Sequence, residues 1–164
     1  MSESFGTQTH KGPTIAFKEY QAAGRALKKP LQSLEVRGPN PDLEGAFQAA
    51  AKERANALIV SPNPVLTRYR RRIAELAIKN RMPSMCGTHQ YVDAGCLLSY
   101  EADDAESYKR AATFVDKILK GTKPSDLPVE QPTKFELVIN LKTAKTLGLE
   151  IPSKVLMWAD RVIE

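Results

Sequence analysis

At 164 residues, with 42% hydrophobic and 26% charged side chains, the chain has the make-up of one globular domain able to bury a core. No run approaches the ~18 consecutive apolar residues that a membrane span needs, and the first residues lack the basic-then-apolar pattern of a secretory signal. A formal charge of +5 raises the question of nucleic acid, which is answered by where the charges fall.

The opening "MSESFGTQTHKGP", residues 1–13, is polar and aperiodic and predicts an irregular segment. From Thr14 to Lys28, Ala16, Tyr20, Ala23 and Leu27 recur on one stripe, which predicts a helix stopped by Pro30. "LQSLEVR" (31–37) reads as a strand closed by the turn residues "GPNP". Asp42 is then placed to cap the helix "LEGAFQAAAKER", with Leu43, Ala46, Phe47 and Ala50 inward.

"ALIVS" (57–61) is a short uninterrupted apolar run, as a strand buried on both faces requires. The helix that follows carries "RYRRR", Arg68 to Arg72, but Leu66, Tyr69, Ile73, Leu76 and Ala77 form its apolar stripe. Arg68, Arg71 and Arg72 are left on the water side without an aromatic platform for bases, so a solvated helix face is expected and no nucleic acid. "PSMCG" (83–87) predicts a brief strand, "THQYVDAG" a loop, and "CLLSY" (96–100) another strand. "DDAESYKRAATFVDKILKG" predicts a helix capped by Asp103 or Asp104 and stopped at Gly121, with Ala105, Tyr108, Ala112, Val115 and Leu119 buried. Pro128 and Pro132 then keep the chain extended, "FELVINL" adds a strand, "KTAKTLGL" a short helix ended by Gly148, and a closing helix begins near Pro152.

Strands and helices alternating at this spacing imply βαβ crossovers and an α/β fold: a mainly parallel sheet flanked by helices on both faces. Residues 14–164 are expected to form one α/β unit, with 121–134 extended and 135–164 a closing strand and helices. Ligands of such sheets bind beyond the carboxyl ends of the strands, which singles out Ser61 to Asn63, Gly87 to Gln90 and Ser99 to Glu101.

There is no glycine-rich phosphate loop and no GxSxG elbow. Ser61, Ser99 and His89 lack the surroundings of a nucleophile and its base and read as polar loop residues. Cys86 and Cys96, with only His10 and His89 beside them, show no zinc-type spacing and read as small buried side chains. Nothing in the residues implies catalysis, a metal or a cofactor.

"LQSLEVRGPNPDLEGAFQAAAKERANALIVSPNP", "RRRIAELAIKNRMPSM" and above all "LPVEQPTKFELVINLKTAKTLGLEIP" resemble the carboxyl-terminal half of the ABC-transporter substrate-binding protein family, which includes tryptophan- and tyrosine-type binding proteins. The resemblance runs from about Phe17 to Glu164. It implies that this α/β unit is one lobe of a type I periplasmic-binding fold, with 121–134 a crossover segment; in that fold two lobes clamp a small amino acid-like solute by hinge closure and present it to an ABC permease. It further implies a non-catalytic, cofactor-free protein with a periplasmic or otherwise extracytoplasmic location; lacking a signal, the chain would be cytoplasmic if Met1 is its natural start. Carried over by position, it implies ligand-binding roles for Ser61, Asn63, Gly87, Thr88, Ser99 and Tyr100.

The sequence departs from the family pattern where "ESFGTQTHKGPT" stands in place of an apolar opening strand, and neither a first lobe nor a leader is recognisable. The lobe is therefore expected to lack its first strand, its neighbours closing up or a second copy filling the gap, which predicts a homo-oligomer. Where the family has Gly after the tyrosine of "SY", this chain has Glu101, expected to complement the dipole of the helix that follows. Glu130, Lys134 and Glu136 are expected to be solvated or hinge-side. Two other readings stay open at this point: a truncated chain acting as an oligomeric interaction domain without ligand, and a flavodoxin-like enzyme, which has only the fold class in its favour.

Overall fold

The apolar runs of the sequence become the middle of a seven-stranded sheet. The structure, a computed structural model, describes residues 2–6, 11–36, 38–61 and 63–164. In chain order the strands are β1 (Ser2–Gly6), β2 (Leu31–Glu35), β3 (Ala57–Val60), β4 (Ser84–Cys86), β5 (Leu98–Ala102), β6 (Phe135–Asn140) and β7 (Arg161–Ile163). The helices are α1 (Lys11–Ala26), α2 (Leu43–Lys52), α3 (Pro64–Arg68), α4 (Arg70–Lys79), α5 (His89–Asp93), α6 (Asp104–Leu119), α7 (Leu141–Leu147) and α8 (Ser153–Leu156). The sheet order is β2-β1-β3-β4-β5-β6-β7, parallel throughout except for the antiparallel β5–β6 pair.

The α/β class and the mainly parallel sheet are those the sequence predicts; the missing first strand is not. Ser2 to Gly6 lie between β2 and β3 in parallel register, Ser2 opposite Leu31 on one side and Ala57 on the other. Backbone pairing on both edges holds this polar segment in place, and such pairing does not need the apolar side chains a sequence search looks for. The expectation of an irregular 1–13 is thus corrected for Ser2–Gly6 and from Lys11 onward, while residues 1 and 7–10 lie outside those described. With the gap closed, the reason for expecting a second copy falls away.

One core cluster unites Leu34, Leu43, Phe47, Leu58, Val60, Leu66, Ile73 and Leu76, each at most 6% exposed. Burying side chains of this size stabilises by about 1.5–3 kcal/mol apiece. Asp42 caps α2 as expected, its Oδ1 accepting from Gly45 N at 2.9 Å. The stripe assigned to α1 fails: Leu27 lies beyond the helix and is 71% exposed, and Gly24 is the buried position. A Cβ at Gly24 would meet Lys29 O at 2.7 Å, because the chain doubles back there into β2. The arginine helix is two pieces broken at Tyr69, whose hydroxyl donates to Pro39 O at 3.0 Å.

Three further elements differ from expectation. "THQYVDAG" contains α5, whose Tyr91 and Val92 are fully buried. The closing helix is only α8, and the chain ends on β7, parallel to β6. Helix α6 forms with Asp103 as cap, yet none of its residues is buried: Tyr108 is 75%, Val115 55% and Leu119 82% exposed. Its apolar stripe is real; what would cover it is not in this sheet.

Candidate functional site

The parallel registers bring the carboxyl ends of three strands to one level. Val60 is opposite Cys86 and Cys86 is opposite Ser99, so Ser61, Gly87 and Tyr100 follow side by side. Gly87 N donates to Val60 O at 3.1 Å and fixes the exit from β4. Thr88 follows at the N-terminus of α5 but makes no side-chain cap, and its Oγ1 is buried without a partner. Ser61, Gly87 and Thr88 are half-buried and lie together at the end of the sheet.

The other three residues singled out by sequence are differently engaged. Asn63 caps α3, its Oδ1 accepting from Val65 N at 2.8 Å, and its carbonyl accepts from Thr67 Oγ1 at 2.9 Å. Ser99 points into the sheet interior, 0% exposed, and its Oγ has no partner. Tyr100 faces the opposite side of β5 by strand alternation; it is 52% exposed and stacks on Phe135 at 5.3 Å between ring centroids.

Glu101 does not serve the helix that follows it. Its Oε1 accepts from His89 N at 2.5 Å and lies 2.9 Å from His89 Nδ1, so it completes the N-terminus of α5 from across the sheet end. Thr88 leaves that end uncapped, and the glutamate takes over the task. Glu136 lies directly opposite Glu101 in the antiparallel pair, and ligand atoms of His89, Glu101 and Glu136 fall within 4.8 Å of one another. Sequence reasoning missed this group because its members come from three elements, and only the β5–β6 register brings them together.

Beside it, residues 104–134 leave the sheet and return. Asp103 N donates to Lys134 O at 3.0 Å, and Lys134 Nζ lies 2.6 Å from Asp103 Oδ2. The Lys134 ammonium holds the Asp103 carboxyl below its usual range, and Arg110 does the same for its partner Glu130. These pairs border a groove of about 440 Å³ between α6 and residues 130–134, with Phe114 in its lining. Four of its charged groups are paired across it, Asp103 with Lys134 and Arg110 with Glu130, while Glu106 is 4.0 Å from Lys109 outside the lining, and the groove carries no assignment. Among the other titrating groups, burial pushes Tyr91 up to about 12 and raises the Cys86 thiol, with Cys96 beside it.

The sequence matches the family described as "ABC transporter substrate binding protein" over residues 26–163. The chain belongs to this family. The fold of this family member is shared by an ABC domain in complex with L-Trp from Streptococcus pneumonia, at TM-score 0.85 and 21% identity, over 99% of this chain and 56% of that one. A conserved domain protein from Vibrio cholerae superposes at TM-score 0.85 and 22% identity, over 98% of this chain and 54% of its own. The ligand-free, open structure of a substrate binding protein with adhesive properties from Clostridium difficile does so at 0.77 and 15%, over 99% and 54%. This family member therefore spans little more than half the length of the structures it resembles. No curated protein sequence matches it significantly.

Proposed function

We propose that this chain is the second lobe of a solute-binding protein serving an ABC-type importer, that it binds a small organic solute such as an amino acid, and that it catalyses nothing. The family match over residues 26–163 carries this reading. The orphaned Thr88 Oγ1 at the carboxyl ends of β3 and β4 indicates where a polar solute group would be received, since buried hydroxyls are ordinarily hydrogen-bonded. Ser61, Gly87 and Thr88 form the receiving edge, Asn63 and Ser99 shape it from behind, and Tyr100 approaches from the other face of the sheet. The permease partner and an extracytoplasmic location come with the reading; among the described residues no helix is long and apolar enough to cross a membrane.

In this reading residues 104–134 pack on a first lobe, which explains a helix with an apolar stripe and no buried residue. One lobe supplies half a cleft and cannot enclose the roughly 70–90% of ligand surface that tight sites bury. Titrating the ¹⁵N-labelled chain with an amino-acid panel tests this: millimolar binding with shifts centred on Ser61, Gly87 and Thr88 is expected. Shifts absent from all three residues across the panel would overturn the site, and micromolar affinity would overturn its being half a cleft.

A further inference from the structure

Glu101 and Glu136 are direct cross-strand partners, so their side chains leave the same face of the sheet from Cβ atoms about 4.5–5.5 Å apart. Like charges in that position repel. The nearest cation on that face of β6, Lys134, is committed to Asp103, and among the described residues no Lys or Arg forms an ion pair with either glutamate. His89 is their neighbour instead, with Nδ1 at 2.9 Å from Glu101 Oε1. Two positions back on the same face of β5, Ser99 is 0% exposed with an unpartnered Oγ, and Thr88 Oγ1 beside His89 is also buried and unpartnered. Two facing carboxylates, an imidazole and two orphaned hydroxyls describe a place built for a hydrated cation.

We propose that His89, Glu101 and Glu136 bind one divalent transition-metal ion of the zinc or manganese class. Donors on a common ion at ~2.0–2.2 Å stand roughly 3.4 Å apart in tetrahedral geometry. The three ligand atoms now lie within 4.8 Å of one another, at most about 1.4 Å wider than that. Two carboxylates balance the charge of the ion, and the imidazole nitrogen selects against magnesium and calcium, which prefer all-oxygen shells. The donors sit on paired strands and on a helix end that Glu101 itself fixes, so the site is largely formed before metal arrives. His89 remains 38% exposed, which leaves an entry path and room for water as a further ligand. No residue of the receiving edge is among the three ligands, so metal binding is tested apart from the solute reading, although the orphaned Thr88 hydroxyl borders both.

Isothermal titration of the full chain with zinc, manganese and magnesium salts, with cobalt(II) absorption as a spectroscopic readout, is the test. One zinc per chain at micromolar affinity is expected, with ligand-field bands from cobalt and no magnesium heat. Glu136→Gln relieves a like-charge pair and leaves the fold intact, and His89→Asn keeps the backbone N–H that Glu101 accepts; each should weaken zinc by about tenfold or more. His10→Asn and a Cys86→Ser, Cys96→Ser double variant should bind as the parent does. No zinc binding below millimolar concentrations, unchanged binding in both site variants, or loss of binding in the cysteine variant would each overturn the proposal.

Discussion

Asn140 holds the junction at which β6 turns into α7, and replacing it with alanine should cost the chain about 1.5–2.5 kcal/mol. The residue is 6% exposed. Its Oδ1 accepts from Thr143 N at 3.0 Å as the cap of α7, while its Nδ2 donates to Val92 O at 3.2 Å in α5. Losing a cap of this kind costs about 1 kcal/mol. Losing the bond to Val92 O, which keeps Gly95 N as a donor at 3.0 Å, adds about 0.5–1.5 kcal/mol. For a chain of this size that lowers Tm by roughly 3–10 °C. Urea denaturation followed by circular dichroism measures it, and Asn140→Ser divides the two effects, since serine can cap α7 but cannot reach Val92. A loss below about 0.5 kcal/mol in the alanine variant, or a serine variant no better than alanine, would show that the junction is not held this way.

Phe47, 1% exposed in the core cluster, should lose about 3–5 kcal/mol on truncation to alanine, read from the same denaturation curves. Gly148 ends α7 at φ 69°, so Gly148→Ala should destabilise by about 1 kcal/mol through backbone strain alone. The carboxyls of Asp103 and Glu130 are held low by Lys134 and Arg110, so what those pairs contribute is present above the ordinary carboxylate range and lost as pH falls through the lowered values. Amide exchange corrected for intrinsic rates should therefore show residues 104–134 losing protection as the pH falls below the ordinary carboxylate range, before β3 to β5 do; simultaneous loss would contradict this.

Much of the fold could be read from the chain because its signals are local. The caps Asp42 and Asp103 and the apolar runs behind β3 and β5 each depend on residues a few positions apart. β1 escaped because the pairing of a strand on both edges can outweigh unpromising side chains, and α5 escaped because five residues are too few for a helical period to show. The site divides along the same line. The strand ends that carry Ser61, Gly87 and Thr88 can be inferred from strand order, whereas Ser99 lies inside β5, which begins at Leu98 and buries it. The company of Glu101 could not be read at all, since it depends on which residue of β6 faces it. In "FELVINLKTAKTLGL", the most family-specific stretch, Asn140 ties β6, α5 and α7 together.

That contrast bears on α6, where local and tertiary signals part. The helix has its cap and an amphipathic stripe, yet the sheet it follows buries none of it. Tyr108, Val115 and Leu119 lie on one helical face, and the two ends of the excursion are tied to each other where the chain leaves and rejoins the sheet, by Asp103 N on Lys134 O and by the Lys134–Asp103 ion pair. If that face belongs to a second body, the lobe does not rely on it for its own stability. Changing Tyr108, Val115 and Leu119 individually to serine should then leave the denaturation midpoint of this chain within about 0.5 kcal/mol of the parent, as for surface positions elsewhere. The same substitutions in a core helix would each cost several times more. In a chain extended to the length of its structural relatives they should become destabilising, because the stripe would be covered. A loss of 2 kcal/mol or more in the present chain would mean that α6 folds back onto this sheet in solution, and the assignment of 104–134 to a first lobe would have to be abandoned.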